Sequence, residues 1–129
     1  MNLVLDENNY NINNIFFYEP VKNTVMDDSK FIRIIYSDEH VILNGIYLKI
    51  DVDNSDNIVK LLDRLEKDIL DKYKINKNNI NKNRCLKIQE QLLFLINKNS
   101  TNKSIILKIS GIWETNAMIG LTYKFLSGN

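Results

Sequence analysis

Apolar side chains recur with the spacing of β-strands in two stretches near the start of the chain. Residues 15–18 are β-prone, and Pro20 must end this strand or confine it to a sheet edge, because proline cannot donate a ladder hydrogen bond. In residues 31–37 apolar side chains occur at both odd and even positions, so they point to both sides of the strand. This pattern predicts a strand covered on both faces of its sheet. The chain is therefore expected to open with two strands.

A turn at Asn44–Gly45 separates the next two apolar runs. This dipeptide favours two-residue hairpins, in which both central residues take a positive φ. Residues 41–43 precede the turn, and residues 46–52 alternate as expected of a strand with one buried face. The predicted buried side chains of that strand are Ile46, Leu48, Ile50 and Val52. These runs together predict an N-terminal antiparallel meander.

The period changes to that of a helix after residues 53–56, whose short polar side chains can cap free N–H groups. Asp63/Lys67 and Asp68/Lys72 are favourable pairs four residues apart on the polar side of this helix. Its predicted core face consists of apolar residues three and four positions apart: Ile58, Leu61, Leu62, Leu65, Ile69 and Tyr73.

A polar loop and a second helix are predicted next. Residues 74–83 are rich in Asn and Lys, which is typical of a mobile loop. Residues 84–97 predict the second helix, which residues 97–103 interrupt. The apolar stripe of this helix would contain Cys85, Ile88, Leu92 and Leu95.

The last segment predicts a hairpin whose register follows from side-chain parity, because a one-residue slip would expose its core residues. With residues 115–117 as the loop, one face carries only apolar pairs, apart from the glycine that faces Leu121. Those pairs are Trp113/Ile119, Gly111/Leu121, Ile109/Tyr123 and Leu107/Phe125. The opposite, mixed face would carry Glu114/Met118, Ile112/Gly120, Ser110/Thr122, Lys108/Lys124 and Ile106/Leu126.

These elements predict one α+β domain over residues 1–129. The N-terminal meander and the C-terminal hairpin share an antiparallel sheet, and both helices pack on one face. The length and the 44% hydrophobic content match a single ordinary domain. The start has no basic segment followed by an apolar run, and the longest apolar run, residues 92–96, is too short to cross a membrane. With a single cysteine, the chain is expected to be soluble and to reside in a reducing compartment such as the cytoplasm.

Metal and phosphate motifs are not matched. Asp51, Asp53 and Ser55 begin like a calcium loop, but Asp56 and Leu62 stand where that loop needs a glycine and a bidentate glutamate. The four glycines form neither a phosphate-binding loop nor a dinucleotide fingerprint. We therefore predict no metal site and no cofactor.

Candidate catalytic side chains all have simpler interpretations. His40, the single histidine, falls in a predicted turn beside two acids. Cys85 is placed on an apolar helical stripe, where a thiol behaves as a small hydrophobe. Asp27 and Asp28 are adjacent acids of a kind usually solvated in loops. The expectation is a protein that is not an enzyme, with no catalytic residue and no small-molecule substrate.

Charge is distributed unevenly although the net charge is only +1. Residues 1–71 carry 14 acidic and 7 basic side chains, whereas residues 72–129 carry 2 acidic and 10 basic ones. Basic side chains of this second part can neutralise phosphates or an acidic partner. The predicted binding residues are Lys72, Lys74, Lys77, Lys82, Arg84, Lys87, Lys108 and Lys124.

Two functions follow from this split. An acidic and a basic face on one module can pair between copies or with a protein partner, so the leading prediction is a non-enzymatic interaction or assembly module. The alternative is non-specific nucleic-acid binding through the basic loop 72–87, with Tyr47 or Tyr123 as a stacking surface. Lys108 opposite Lys124 would also favour a bound anion. Lysines that only keep the protein in solution are a third interpretation.

Four strand segments carry a resemblance to a known group of proteins. FIRIIYS, VILNGIYLKI, KISGIWE and IGLTYKF resemble segments of small uncharacterised proteins encoded by large nucleocytoplasmic DNA viruses of protists, and the Asn, Ile and Lys bias is similar to theirs. The resemblance covers roughly residues 31–50 and 104–126 and includes no active-site signature. It implies a viral protein that acts in the cytoplasm of the infected cell or in the virus particle.

Overall fold

A computed structural model describes residues 10–25, 28–38, 40–51, 55–77, 81–98 and 104–127. The predicted α+β class is confirmed: a mostly antiparallel eight-stranded sheet carries two helices on one face. The strands are β1 (Ile15–Phe17), β2 (Val21–Lys22), β3 (Lys30–Ser37), β4 (Ile42–Asn44), β5 (Ile46–Asp51), β6 (Asn83–Cys85), β7 (Ser104–Glu114) and β8 (Met118–Ser127). The helices are α1 (Ser55–Asn76) and α2 (Ile88–Lys98), and a short 3-10 turn, Ile12–Asn14, precedes β1.

Strand β7 is the centre of the sheet. One of its edges pairs with β8, while the other pairs first with β5 and then with β3. β1 and β2 lie along the outer edge of β3, on either side of Pro20, as the proline predicted. β6 closes the far edge as a parallel neighbour of β8. The meander and the C-terminal hairpin therefore belong to one sheet.

Gly45 lies at a fork in that sheet rather than in a regular hairpin. β4 pairs with β3 and β5 pairs with β7, so the two strands leave the turn along different partners. Gly45 has φ +99°, whereas Asn44 does not take the positive φ expected of a two-residue hairpin. A Cβ at Gly45 would lie 2.8 Å from the Ile109 carbonyl oxygen, so only glycine fits at this fork without a shift.

The hydrophobic core fills the space between the helices and one face of the sheet. Every second residue of β3 and of β5 is fully buried there, which confirms the alternation predicted for the latter. Val52 lies outside the described residues. The prediction that β3 is covered on both faces is wrong, because both helices lie on the same side and Arg33 is exposed on the other. The buried sheet residues include Ile32, Ile34, Tyr36, Ile46, Leu48 and Ile50.

Helix α1 begins at Ser55, inside the predicted range, although the capping side chains lie outside the described residues. The predicted core face is confirmed, with Leu61 half-buried and the others buried. Lys67 pairs with Asp63 at 2.9 Å as expected. Glu66 is only 1% exposed, and its carboxylate accepts hydrogen bonds from the Lys87 N–H at 2.9 Å and the Ile88 N–H at 3.2 Å. This buried acid therefore caps the start of α2.

The second helix is shorter than the sequence predicts. Residues 83–85, predicted as loop and helix start, form β6, and α2 begins only at Ile88. Cys85 is consequently a half-buried strand residue and not part of a helical stripe. Ile88 and Leu92 are buried and Leu95 packs against the core, as the rest of that stripe predicted.

The C-terminal hairpin has the predicted loop but two registers. From Ile105 to Ile109 the pairing is as predicted, including Lys108 opposite Lys124. A bulge between Ile109 and Gly111 then shifts the register by one residue, so Ile119 faces Glu114 and Trp113 faces Gly120. The predicted pairs Trp113/Ile119, Gly111/Leu121, Glu114/Met118, Ile112/Gly120 and Ser110/Thr122 are therefore wrong. The bulge turns Ile112 into the core and Trp113 onto the opposite face.

Candidate nucleic-acid interface

The sheet face that the helices leave uncovered, here called the open face, is built from the outward positions of β3, β5, β7 and β8. Cross-strand pairing arranges these positions in rows. One row joins Tyr47, Lys108 and Lys124. The next row, nearer the end of β5, joins Lys49, Ile106 and Leu126. Two further rows join Arg33, Gly111 and Thr122, and Phe31, Trp113 and Gly120.

Every charged side chain that the structure describes on the open face is basic. These side chains are Arg33, Lys49, Lys108 and Lys124, of which only Lys108 is partly covered. Within the described chain none of the four belongs to an ion pair. The described side chains of the open face therefore present unneutralised positive charge to the solvent.

Aromatic rings lie between these cations. The ammonium of Lys108 lies 5.5 Å from the centre of the Tyr47 ring, and the guanidinium of Arg33 lies 5.7 Å from that of Tyr18. Such contacts hold a cation over a ring face without removing its charge. The face therefore combines cations with aromatic rings, which is the composition of surfaces that bind single-stranded nucleic acid.

Two glycines allow two further rings to lie close to the sheet. A Cβ on Gly120 would meet the Trp113 indole at 2.4 to 2.7 Å, and one on Gly111 would meet the Phe31 ring at 2.7 Å. Both rings therefore cover glycine backbone where any larger residue would push them away. Phe31 and Trp113 are direct cross-strand partners and line the same cleft, and we call these two residues the Phe31–Trp113 patch.

This patch forms the floor of a cleft of about 540 Å³. The segment from β2 to Val25 forms its wall, with Val21 and Val25 largely exposed. The polar lining residues are Lys22, Asn23, Thr24 and Thr122. The volume lies within the range of roughly 300–1,000 Å³ typical of small-ligand sites.

Three of the six basic side chains in the predicted basic loop 72–87 form ion pairs within the fold. Lys77 lies 3.6 Å from Glu19, Lys82 lies 2.6 Å from Glu114, and Arg84 lies 3.0 Å from Asp71. The three acids belong to different parts of the chain, so the uneven charge along the sequence is partly balanced in three dimensions.

The remaining predicted residues lie in two places. The Lys72 ammonium donates to the Ile12 and Ile15 carbonyls at 2.8 and 2.7 Å, and burial lowers its pKa. Lys74 and Lys87 lie at the end of α1 and just before α2, whereas Lys108 and Lys124 lie together on the open face. The structure therefore brings only these last two of the eight together on the sheet.

Glu114 is the centre of a second polar cluster, at the end of β7. Its carboxylate accepts from the buried Tyr73 hydroxyl at 2.8 Å and from Lys82 at 2.6 Å. Burial by itself would raise the pKa of Glu114, but these two hydrogen bonds and the charges of Lys82 and Lys30 outweigh burial and lower the pKa. A cleft of about 320 Å³ adjoins the cluster. Tyr73 of α1 and Lys82, just before β6, both donate to Glu114 of β7, so the cluster joins these parts of the chain to the hairpin.

The other chemical candidates stay dispersed. His40 is exposed in its turn. Its backbone N–H donates to the Asp38 carboxylate, and this hydrogen bond lowers the pKa of Asp38. Asp27 and Glu39 lie outside the described residues. Among the residues that are described, no three His, Cys, Asp or Glu side chains group as metal ligands. No described helix is long and apolar enough to cross a membrane.

The sequence patterns did not predict Arg33, Phe31 or Trp113 as members of this surface. Lys49 was predicted to point outward with Tyr47 but was not among the predicted binding residues. Arg33 and Lys49 are single cations in apolar strands, and only the pairing of those strands with β7 brings them together. The signal for Trp113 was Gly111, since an isolated glycine in a strand pattern indicates a bulge. Tyr47 was identified correctly as an outward ring, and Tyr123 faces the core as expected.

Comparison of the chain with protein-family models, with curated proteins and with solved structures finds no match.

Proposed function

We propose that this protein binds nucleic acid through the open face of its sheet. The observation that carries the proposal is the set of four unpaired cations on that face, interleaved with aromatic rings. Phosphates of a polynucleotide would release counterions on binding to these cations, which is the main source of non-specific affinity. This moves the predicted interface from the basic loop 72–87 to the sheet and retains Lys108 and Lys124.

The number of cations sets the expected salt dependence. The logarithm of the affinity falls with the logarithm of the salt concentration by about 0.7 to 0.9 for each neutralised phosphate, so four contacts give a slope of about −3. Raising the salt from about 50 to about 200 mM should therefore weaken binding roughly sixtyfold. Filter binding or fluorescence anisotropy with labelled oligonucleotides measures this slope.

Charge reversal distinguishes the open face from the basic loop. Lys108→Glu with Lys124→Glu should weaken binding at least tenfold and reduce the salt slope by about half. The matched control is Lys74→Glu with Lys87→Glu, which changes the net charge equally but lies on the helix side. A loss confined to the control pair, or no binding by the unmodified protein at about 50 mM salt, would show that the open face is not the interface.

Self-association is a second proposal, supported by a groove that shares Lys124 with the open face. A groove of about 590 Å³ between α2 and β8 is lined by Glu90 and Lys124, and Phe94 beside it is 63% exposed. In a two-fold dimer the same groove of both copies would form the interface. Glu90 of each copy would then lie opposite Lys124 of the other, because contacts across a two-fold axis are reciprocal. This proposal differs from the prediction made from the sequence. It rests on Glu90 and Lys124 in one self-complementary groove, not on a large acidic face and a large basic face.

Light scattering during size exclusion tests the dimer. We expect twice the monomer mass at low salt, loss of the dimer in Glu90→Lys or in Lys124→Glu, and recovery when both changes are combined. The recovered double variant is the control, since it restores charge complementarity with the signs exchanged. A monomer at low and at physiological salt contradicts self-association.

A further inference from the structure

We infer that the cleft on the Phe31–Trp113 patch is a base-binding pocket, which makes the nucleic acid bound by this protein single-stranded. The inference rests on the proposed function, because the basic open face must first hold the phosphate backbone. It adds the chemical class of the ligand: an unpaired nucleobase that stacks on the Trp113 indole.

The floor of the cleft is suited to stacking. Trp113 is half-buried, and one side of its indole lies against Gly120, so the ring is held close to the sheet. The Phe31 ring is held in the same way over Gly111. Rings fixed by a rigid sheet lose little conformational entropy when a base stacks on them. The cleft therefore offers a preformed aromatic platform.

The rim of the cleft provides contacts for the rest of a nucleotide. Lys22 is exposed on the wall, and Arg33 lies in the row of side chains next to Phe31 and Trp113. These two cations border the patch, so phosphates on either side of a stacked base would meet positive charge. The Thr122 hydroxyl lines the cleft and can donate to or accept from a base edge.

Unpaired bases are required by this geometry. In a duplex the ring faces are stacked on one another, so they are not presented to an outside platform unless the base is flipped out. Stacking on aromatic side chains tolerates any base, because every base has a π-face. The expected ligand is thus a single strand without strong sequence preference.

Trp113 is the single tryptophan of the chain and reports on the cleft directly. Titration of the full chain with an oligothymidylate of about 12 nucleotides should quench or shift its fluorescence. A strand of equal length whose sugars lack bases keeps the phosphates and removes the rings, so it should bind more weakly and leave the fluorescence unchanged. A duplex of the same length should also leave it unchanged.

Two variants test the same pocket by affinity. Trp113→Leu should weaken single-strand binding about tenfold while leaving duplex binding and the salt slope unaltered. Trp113→Phe keeps an aromatic ring and should retain most of the affinity. Circular dichroism checks that both variants fold. If they do not, the fluorescence titration of the unmodified protein alone shows whether bases bind at Trp113.

The outcomes separate the two proposals. If neither strand form binds at about 50 mM salt, the proposed function is wrong. If single strands and duplexes bind equally and Trp113 fluorescence does not change, the proposed binding through the open face is supported. The inference of a base-binding pocket is then wrong. Selective quenching by base-containing single strands supports both.

Discussion

Replacing Glu114 by leucine is expected to lower the free energy of unfolding by about 3 kcal/mol, because it breaks a buried ion pair from one side. Glu114 is only 8% exposed. Leucine would leave the Tyr73 hydroxyl without its acceptor and Lys82 without its counter-charge. The side chain of Lys82 is 20% exposed, so water can partly solvate its charge once Glu114 is removed. The expected loss of stability is therefore at the lower end of the range for removing one partner of a buried ion pair.

Urea unfolding followed by circular dichroism measures this loss. The control is Glu114→Leu combined with Lys82→Met, which removes both charges and should recover part of the stability. A loss below about 1 kcal/mol for the single variant would mean that the pair behaves like an exposed salt bridge, contrary to the prediction.

The pH dependence of this contribution has a defined sign. The pKa of Glu114 in the folded protein lies below its ordinary value of 4.5, so the unfolded chain binds the proton more readily. The stabilisation is therefore fully present above pH 4.5 and is lost as the pH falls through the folded pKa. The difference in stability between the unmodified protein and Glu114→Gln should shrink in that acidic range.

Replacing Glu66 by leucine is expected to cost about 2 kcal/mol, because the first N–H groups of α2 would lose their acceptor. Both carboxylate oxygens of Glu66 are used in this way. Glu66→Gln retains one acceptor oxygen and should lose about half as much. Asp68→Asn is the matched control, since Asp68 is an exposed acid on α1, the helix that carries Glu66, and its replacement should change stability by less than about 0.5 kcal/mol. Equal losses from Glu66→Leu and the control would contradict the capping role.

Glu66 should respond to pH in the direction opposite to Glu114. Burial raises its pKa above the ordinary value of 4.5, and the hydrogen bonds from Lys87 and Ile88 only partly oppose this. The folded protein therefore binds the Glu66 proton more readily than the unfolded chain does, and this contribution is lost as the pH rises from 4.5 through the folded pKa. Stability of the unmodified protein relative to Glu66→Gln should decline over that range.

Much of the fold follows from local pattern, and the errors have identifiable causes. The alternation in β5 and the helical spacing in α1 each specify one buried face, so their core residues could be predicted individually. β6 could not, because its three residues, Asn83–Cys85, are polar or small and become a strand only by pairing with β8. Parity reasoning gave the correct register up to Ile109 and failed after it, because a single bulged residue reverses parity.

The candidate site depended more on long-range geometry. Cations adjacent in sequence suggested a surface, but Glu19, Asp71 and Glu114 neutralise three of them from distant positions. Arg33 and Lys108 are far apart in sequence and lie on the same face of one sheet only because β3 pairs with β7. The viral origin, and the placement in infected cells or particles, stay predictions from the resemblance of the strand segments.

The position of β7 in the chain has a consequence for synthesis. β3 and β5 find their main partner only in this strand, which begins at Ser104. A ribosome must therefore release the chain through residue 114 before the central ladder can form, and until then β3 and β5 each have an unpaired edge. The nascent chain is thus exposed to aggregation from the synthesis of β3 until that of β7, so its yield in the cell should depend on chaperones that bind open strand edges.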